Sequence, residues 1–185
     1  MSDAGTPTPR APRRRGRVVL WSGLAVLVVF AVLIAFLATV GSTKANSRLL
    51  GKPAPPVHGT QLANGEPIAL TDLAGRWVLV NFAASWCIPC QQEMPQLQEF
   101  ARAAPRYDAT VLTVTEDPND STGLRSMLAD AHATWPAVAD AGAQVHWGVT
   151  GIPESFLVNP SGVVVAYFPS GVGASSLEST ITSLS

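Results

Sequence analysis

The chain has 185 residues and a net charge of −1, but that charge is unevenly distributed. Residues 1–50 hold seven Lys/Arg and one acidic residue, whereas residues 51–185 hold five Lys/Arg and twelve acidic residues. An acidic region of about 135 residues can form one domain with its own core, and it is a poor nucleic-acid binder. Two cysteines cannot make a disulfide framework or a Cys-only zinc site, so we expect no metal centre.

The first 40 residues have the composition of a membrane anchor. Residues 1–17 are rich in Pro, Thr and Arg, which predicts a disordered basic tail. Residues 18–40 carry no charge, and about 34 Å of helix at this length spans a bilayer core. The arginines before this segment predict a single-pass signal-anchor in the cell membrane, with a cytoplasmic N-terminus and an extracytoplasmic domain. A cleaved signal peptide, including a twin-arginine type, is the alternative.

The next segments lead into the first strand of the domain. Residues 41–56 are polar and contain prolines, which predicts a linker. Residues 57–70 have a central Asn64–Gly65 pair, a strong turn signal that predicts a β-hairpin. A short helical turn is expected at 71–75. It precedes a continuous apolar run of strand type at 77–82.

From this run onward, helical and strand patterns alternate. The predicted elements are a helix at 87–104, a strand at 109–115, a helix at 121–133, a strand at 135–138, a short helix at 143–147, strands at 154–159 and 163–168, and a helix at 174–184. The order is ββ followed by βαβαβαββα. It predicts an α/β domain over residues 57–185, with a central mixed sheet flanked by helices.

The two cysteines, Cys87 and Cys90, lie where a predicted strand ends and a helix begins. A C-x-x-C pair among alternating strands and helices is typical of a redox couple. At the helix N-terminus, unpaired backbone N–H groups and the macrodipole favour a thiolate on Cys87. Cys90, one turn into the helix, can attack a mixed disulfide formed at Cys87. The only redox group expected is therefore the Cys87–Cys90 disulfide, with no added cofactor.

The residues around this pair carry a family resemblance. Trp86 directly precedes Cys87, and Pro95 stands five residues after Cys90, at the position of the helix-kinking proline of thioredoxins. The stretch resembles the thioredoxin superfamily active site, and most closely its membrane-anchored TlpA/ResA/CcmG (DsbE) branch. Asn81 occupies the position of thioredoxin's buried aspartate, a departure typical of the CcmG/ResA branch. The resemblance implies a thioredoxin-like fold with an N-terminal hairpin extension.

A second motif lies near residue 152. Gly151–Ile152–Pro153 matches the cis-proline motif that thioredoxin-like proteins place opposite the C-x-x-C. The resemblance implies a catalytic role for Pro153 and an Ile152 backbone that faces the sulfurs, where a client can pair as a strand. Trp86 and Ile152 are therefore candidate substrate-binding residues. Glu154 follows at once, and the seven-residue pattern that begins at Gly151 resembles CcmG in particular.

Proton transfer needs another group when position 81 is not an aspartate. Glu154 and Glu93 are the candidates, because a carboxylate near Cys90 can accept its proton or raise its pKa. Glu93 also matches an acidic position near the couple in ResA-like proteins. Asn81 is expected to satisfy buried hydrogen bonds and is included as a possible member of a proton relay.

The resemblance implies a membrane-tethered thiol–disulfide reductase. Its clients would be disulfides of apocytochrome c or its chaperone during cytochrome c maturation, and a membrane thiol transporter of the CcdA/DsbD type would supply electrons. The same residues serve a disulfide-forming oxidase, because direction depends on reduction potential. A reductant for copper-site cysteines in cytochrome oxidase assembly is a further alternative. A peroxiredoxin-type peroxidase fits less well, since Ala84 and Val80 occupy its Thr and Pro positions.

Overall fold

The structure is a computed structural model that describes residues 48–185. The predicted basic tail at 1–17, the predicted anchor at 18–40 and the first part of the predicted linker lie outside the described residues. None of the helices in the described range has the length and apolar character that a membrane crossing requires.

The described range contains seven β-strands and four α-helices. The strands are β1 His58–Thr60, β2 Pro67–Ala69, β3 Trp77–Phe82, β4 Ala109–Thr115, β5 Ala137–Ala139, β6 Glu154–Val158 and β7 Val164–Phe168. The helices are α1 Ile88–Ala103, α2 Ser121–Asp130, α3 Ala143–Trp147 and α4 Ala174–Leu184. A 3₁₀ turn at Leu70–Leu73 precedes β3, where the sequence predicts a short helical turn.

Two of the observed strand and α-helix bounds differ from the predicted ones by two residues or more, and the others agree to within one residue. Helix α2 ends at Asp130 rather than at residue 133, because His132 adopts a left-handed φ of 52° that a helix cannot continue. Strand β5 begins at Ala137 rather than at residue 135. The side chain of Trp135 is buried, and its indole N–H donates to the hydroxyl of Thr113 at 2.9 Å. Trp135 thus fixes the segment that leads into β5 and is not itself part of the strand.

The main sheet has five strands in the order β5-β4-β3-β6-β7. Strands β3, β4 and β5 run parallel, while β6 is antiparallel to β3 and to β7. All six residues of β3 are buried, which explains its continuous apolar sequence, since a central strand is covered on both faces. Strands β1 and β2 form a separate antiparallel pair, as the Asn64–Gly65 turn predicts. The predicted thioredoxin-like fold with an N-terminal hairpin is confirmed.

Alternate residues of the central strands pack on opposite faces of the sheet. Leu79 and its partner Leu157 belong to the core that includes side chains of α1, α2 and α4. Phe82 and Phe156 belong to a second core on the other face, where the indole of Trp147 on α3 lies 5.8 Å from the Phe82 ring. This alternation decides which polar residues of the same strands can meet at the active site.

The predicted linker boundary at residue 57 is wrong. The N–H of Gly51 donates to the carbonyl of Val164 at 2.8 Å, and the N–H of Val164 donates to Lys52 at 3.0 Å. Ala54 donates to Gly162 at 2.8 Å in the same way. An irregular segment without apolar periodicity can still pair its backbone with an exposed sheet edge. The domain therefore includes residues 51–56, whose backbone pairs with the first residue of β7 and with the turn before it.

Candidate active site

The C-x-x-C pair sits at the N-terminus of α1. Cys87 is the N-cap residue, and a disulfide joins it to Cys90 with the Cα atoms 5.2 Å apart. The N–H of Cys90 donates to Cys87 Sγ at 3.2 Å, so a helix N-terminal donor already points at this sulfur. Pro89 lies in the first turn, where backbone N–H groups have no partner within the helix, so the missing N–H of proline costs no hydrogen bond. Cys90 is fully enclosed, whereas Cys87 keeps 5% of its surface exposed and is the sulfur that a client reaches first.

The structure brings the second motif against the first, although 65 residues separate them along the chain. The Ile152–Pro153 peptide bond is cis. The carbonyl oxygen of Ile152 lies 3.7 Å from Cys87 Sγ, and the Ile152 side chain packs against the small cluster around the disulfide. The backbone of the segment that leads into the cis-proline therefore lies directly beside the reachable sulfur.

Two large apolar side chains project from the chain around the disulfide. Trp86 is 68% exposed and Ile88 is 64% exposed. Exposed apolar groups beside a reactive pair form a surface on which a protein client can be held. Sequence reasoning selected Trp86 but missed Ile88. The signal was available, because the first residue between the two cysteines occupies the outer side of the first helical turn.

A cleft of about 120 Å³ opens between Trp86 and Ile152. Its lining includes the apolar side chain of Phe82 and the acidic residues Glu116 and Asp117 from the loop after β4. The two substrate-binding candidates named from the sequence thus border one cleft next to Cys87.

Glu93 lies on the buried face of α1, one turn after Cys90. Its Oε1 accepts from the N–H of Val172 at 2.7 Å, and its Oε2 accepts from Nδ2 of Asn81 at 3.3 Å. The same Asn81 Nδ2 donates to the hydroxyl oxygen of Ser155 at 3.0 Å. These contacts join α1, β3, β6 and the segment before α4, and they bring two of the predicted relay residues, Glu93 and Asn81, together.

Burial raises the pKa of the Glu93 carboxyl above its ordinary value of 4.5, and the hydrogen bonds from Val172 and Asn81 only partly oppose this effect. The carboxyl also lies close to the cis-proline. A Cβ on Gly171 would lie 3.5 Å from Glu93 Cδ and 3.7 Å from Pro153 Cγ, so both groups flank the same glycine. Glu93 is therefore a buried acid near the redox pair that holds its proton more tightly than a solvated carboxyl does.

Glu154 occupies a different environment. It pairs with Phe82 across β3 and β6, so its side chain points to the face of the sheet opposite Glu93. There its Oε1 accepts from the N–H and hydroxyl of Thr150, at 3.3 and 3.0 Å, and from the N–H of Gly151 at 3.2 Å. Glu154 thus holds the loop that leads into the cis-proline. A role for Glu154 in proton transfer at the thiols stays a prediction.

Tyr167 on β7 lies next to Glu154 and packs on Phe156, with the ring centroids 4.9 Å apart. Burial raises the pKa of the Tyr167 phenol, and the charge of Glu154 raises it further. Glu154 is therefore enclosed between a polar loop on one side and a phenol that keeps its proton at neutral pH on the other.

Within residues 48–185, no group of three or more His, Cys, Asp or Glu side chains is placed to hold a metal ion. The chemistry that the site supports is exchange between thiols and disulfides. A thioredoxin-like fold, with a C-x-x-C pair at a helix N-terminus beside a cis-proline, defines a thiol–disulfide oxidoreductase.

Comparison with known proteins agrees with that class. The AhpC/TSA family model matches residues 50–167, and the chain belongs to this family. It is 30% identical over 125 residues to the thiol-disulfide oxidoreductase ResA of Bacillus thuringiensis subsp. konkukian, with 66% of this chain and 71% of ResA covered. It is 34% identical over 99 residues to the thiol:disulfide interchange protein CycY of Rhizobium leguminosarum bv. viciae, covering 52% and 53% of the two chains.

A solved structure shares the fold. The protein solved under the name thiol:disulfide interchange protein DsbE, from Chlorobium tepidum, superposes with a TM-score of 0.65 at 26% identity. The match covers 72% of this chain and 96% of the Chlorobium chain. Its extent fits a domain that fills most of the described range.

Proposed function

We propose that this chain is a membrane-tethered, extracytoplasmic protein-disulfide reductase that acts on apocytochrome c, or on its chaperone, during cytochrome c maturation. The observation that carries the proposal is the position of Cys87 Sγ, 3.7 Å from the Ile152 carbonyl, which leaves one reachable sulfur beside a backbone on which a client strand can pair. The choice of client is supported by the motif that begins at Gly151, which resembles CcmG, and by similarity to proteins named ResA and CycY.

Reduction proceeds in two exchanges. The Cys87 thiolate attacks one sulfur of the client disulfide, which forms a mixed disulfide and releases the first client thiolate. Cys90, as a thiolate, then attacks Cys87 Sγ and releases the second client thiolate, so the Cys87–Cys90 disulfide forms. Two electrons pass from the dithiol to the client, and the two client thiolates take up the protons that the dithiol gave up.

The second exchange requires Cys90 to lose its proton inside the protein. Cys90 has no exposed surface, so solvent does not reach its thiol. Glu93 lies one turn further along the same buried helix face, and residues at this spacing are neighbours on a helix. Its ionised carboxylate accepts the proton, and its raised pKa makes it a stronger base than a solvated carboxylate.

The remaining parts of the proposal concern location and electron supply. The uncharged segment at 18–40 would anchor the protein, and the arginines before it would keep the N-terminus in the cytoplasm. The reductase must be re-reduced after each turnover. A membrane thiol transporter of the CcdA/DsbD type is the proposed donor, since a tethered domain stays within reach of a membrane partner.

The test combines a reduction potential with a trapping experiment on the full-length chain purified in detergent. A potential near about −270 mV supports a reductase, while one near about −120 mV supports the disulfide-forming oxidase instead. With a disulfide-containing apocytochrome c peptide, we expect Cys90→Ser to accumulate a mixed disulfide and Cys87→Ser to be inactive. Reduction of the peptide by Cys87→Ser at the wild-type rate would contradict the mechanism. A copper-site peptide reduced in preference to the apocytochrome peptide would contradict the choice of client.

A further inference from the structure

Asp120 makes an unusual set of contacts with the residue two positions before Cys87. Asp120 ends a 3₁₀ turn, Pro118–Asp120, directly before α2, and it is 9% exposed. Its Oδ2 accepts from the N–H of Ser85 at 2.8 Å, and its Oδ1 accepts a short hydrogen bond from the Ser85 hydroxyl. Both carboxylate oxygens of this buried group therefore bind one residue of the active-site loop.

Ser85 is also held from its other side. Its carbonyl oxygen accepts from Nε2 of Gln91, on α1, at 2.6 Å. The N–H, the hydroxyl and the carbonyl of Ser85 are thus all hydrogen-bonded, to a side chain before α2 and to one on α1. Ser85 and Gln91 border a cavity of about 710 Å³ between these two helices. These three hydrogen bonds fix the position of Ser85 at the edge of the cavity.

Helix α2 approaches Ser85 so closely that a side chain cannot fit between them. A Cβ on Gly123 would overlap Ser85 Oγ and lie 2.9 Å from Ser85 Cβ and 3.0 Å from Asp120 Oδ1. Glycine is a poor helix former, so its presence inside the first turn of α2 has a spatial reason. The glycine lets the carboxylate of Asp120 reach the loop.

We propose that Asp120 is a positioning residue for the nucleophilic cysteine. By holding Ser85, it fixes the start of the short segment that runs through Trp86 to Cys87, and so keeps Cys87 Sγ at the helix N-terminus and within reach of Cys90. This positioning raises the effective concentration of one sulfur toward the other. The proposal uses only the exchange between the two cysteines, and it holds for either direction of electron flow and for any client.

The test is the equilibrium constant of the Cys87–Cys90 disulfide against glutathione, measured on the full-length chain. For Asp120→Ala we expect the equilibrium to shift about tenfold toward the dithiol, which corresponds to about 30 mV. Asp120→Asn should stay within about twofold of wild type, because its amide can accept from the Ser85 N–H and donate to the Ser85 hydroxyl. Gly123→Ala should shift the equilibrium in the same direction as Asp120→Ala while leaving every charge in place.

The matched control is Asp130→Ala, which removes an exposed carboxylate from the other end of α2 and should leave the equilibrium unchanged. Ser85→Ala loses the hydroxyl contact alone and should give a smaller shift, which keeps the test open if Asp120→Ala fails to fold. A wild-type equilibrium in both Gly123→Ala and Ser85→Ala would overturn the proposal. An equal shift in Asp120→Asn and Asp120→Ala would also overturn it, because the effect would then come from the charge.

Discussion

Two buried glutamates near the redox pair, Glu93 and Glu154, lie on opposite faces of the same sheet. Glu93 is on the face covered by α1 and α4, where it bridges Asn81 and the Val172 backbone, and burial raises its pKa. Glu154 is on the face covered by α3, where its contacts hold the loop at Thr150. Both are almost fully enclosed, yet the contacts of Glu93 join α1 to β3 and to the segment before α4, whereas those of Glu154 hold the loop before the cis-proline.

The difference arises from neighbouring positions on paired strands. Asn81 pairs with Ser155, and Phe82 pairs with Glu154, so the first pair points toward α1 and the second toward α3. Ser155 and Glu154 are adjacent on β6, yet only Ser155 contacts Asn81, which binds Glu93. Glu154 is next to the cis-proline in sequence, but the face of the strand on which it lies decides which side chains it contacts.

The largest expected difference between the two carboxylates is in the second exchange step. Replacing Glu93 with Gln removes the buried base and should slow the attack of Cys90 on the mixed disulfide by about 10²-fold. Glu154→Gln is the matched variant and should change this rate by less than about threefold, because its side chain lies on the other face. Single-turnover kinetics with a model disulfide peptide measure the step directly. Equal losses in the two variants would mean that both carboxylates act on the thiols.

The free energy of unfolding should depend on the loop contacts of Glu154. Glu154→Ala removes the acceptor for three donors of Thr150 and Gly151, and we expect it to lower the free energy of unfolding by about 1–3 kcal/mol. Glu154→Gln retains one acceptor oxygen and should lose less than half as much. Urea unfolding measures both variants. An unchanged free energy for Glu154→Ala would show that water replaces the carboxylate without cost, which contradicts the role in holding the loop.

Much of the site could be predicted from the sequence, because its main parts are local motifs. The placement of Cys87 at a helix N-terminus follows from the boundary between an apolar strand and a helical pattern, and the structure has Cys87 as the N-cap. The strand that begins at Glu154 was also predicted. The face on which Glu154 lies follows only from the register of that strand against β3, which the structure supplies.

Other features depend on contacts that no local pattern specifies. The bond between Ser85 and Asp120 joins residues 35 positions apart, and it requires the first turn of α2 to pack on the loop before α1. The bonds from Gly51 to Val164 and from Ala54 to Gly162 involve backbone groups alone, so the pattern of apolar side chains does not predict them.

The smallest expected effect is a dependence of stability on pH that belongs to Glu93. Since its folded-state pKa is raised, the folded chain keeps a proton that the unfolded chain loses near its ordinary value of 4.5. The contribution to stability is therefore fully present below about pH 4.5, and it is lost as the pH rises through the folded-state pKa. Over this pH range, the free energy of unfolding of the wild type should fall relative to that of Glu93→Gln as the pH rises. Glu154→Gln retains Glu93 and should show the same fall. If the difference between wild type and Glu93→Gln stays constant with pH, burial does not hold a proton on Glu93, and the contrast between the two carboxylates reduces to their hydrogen bonds.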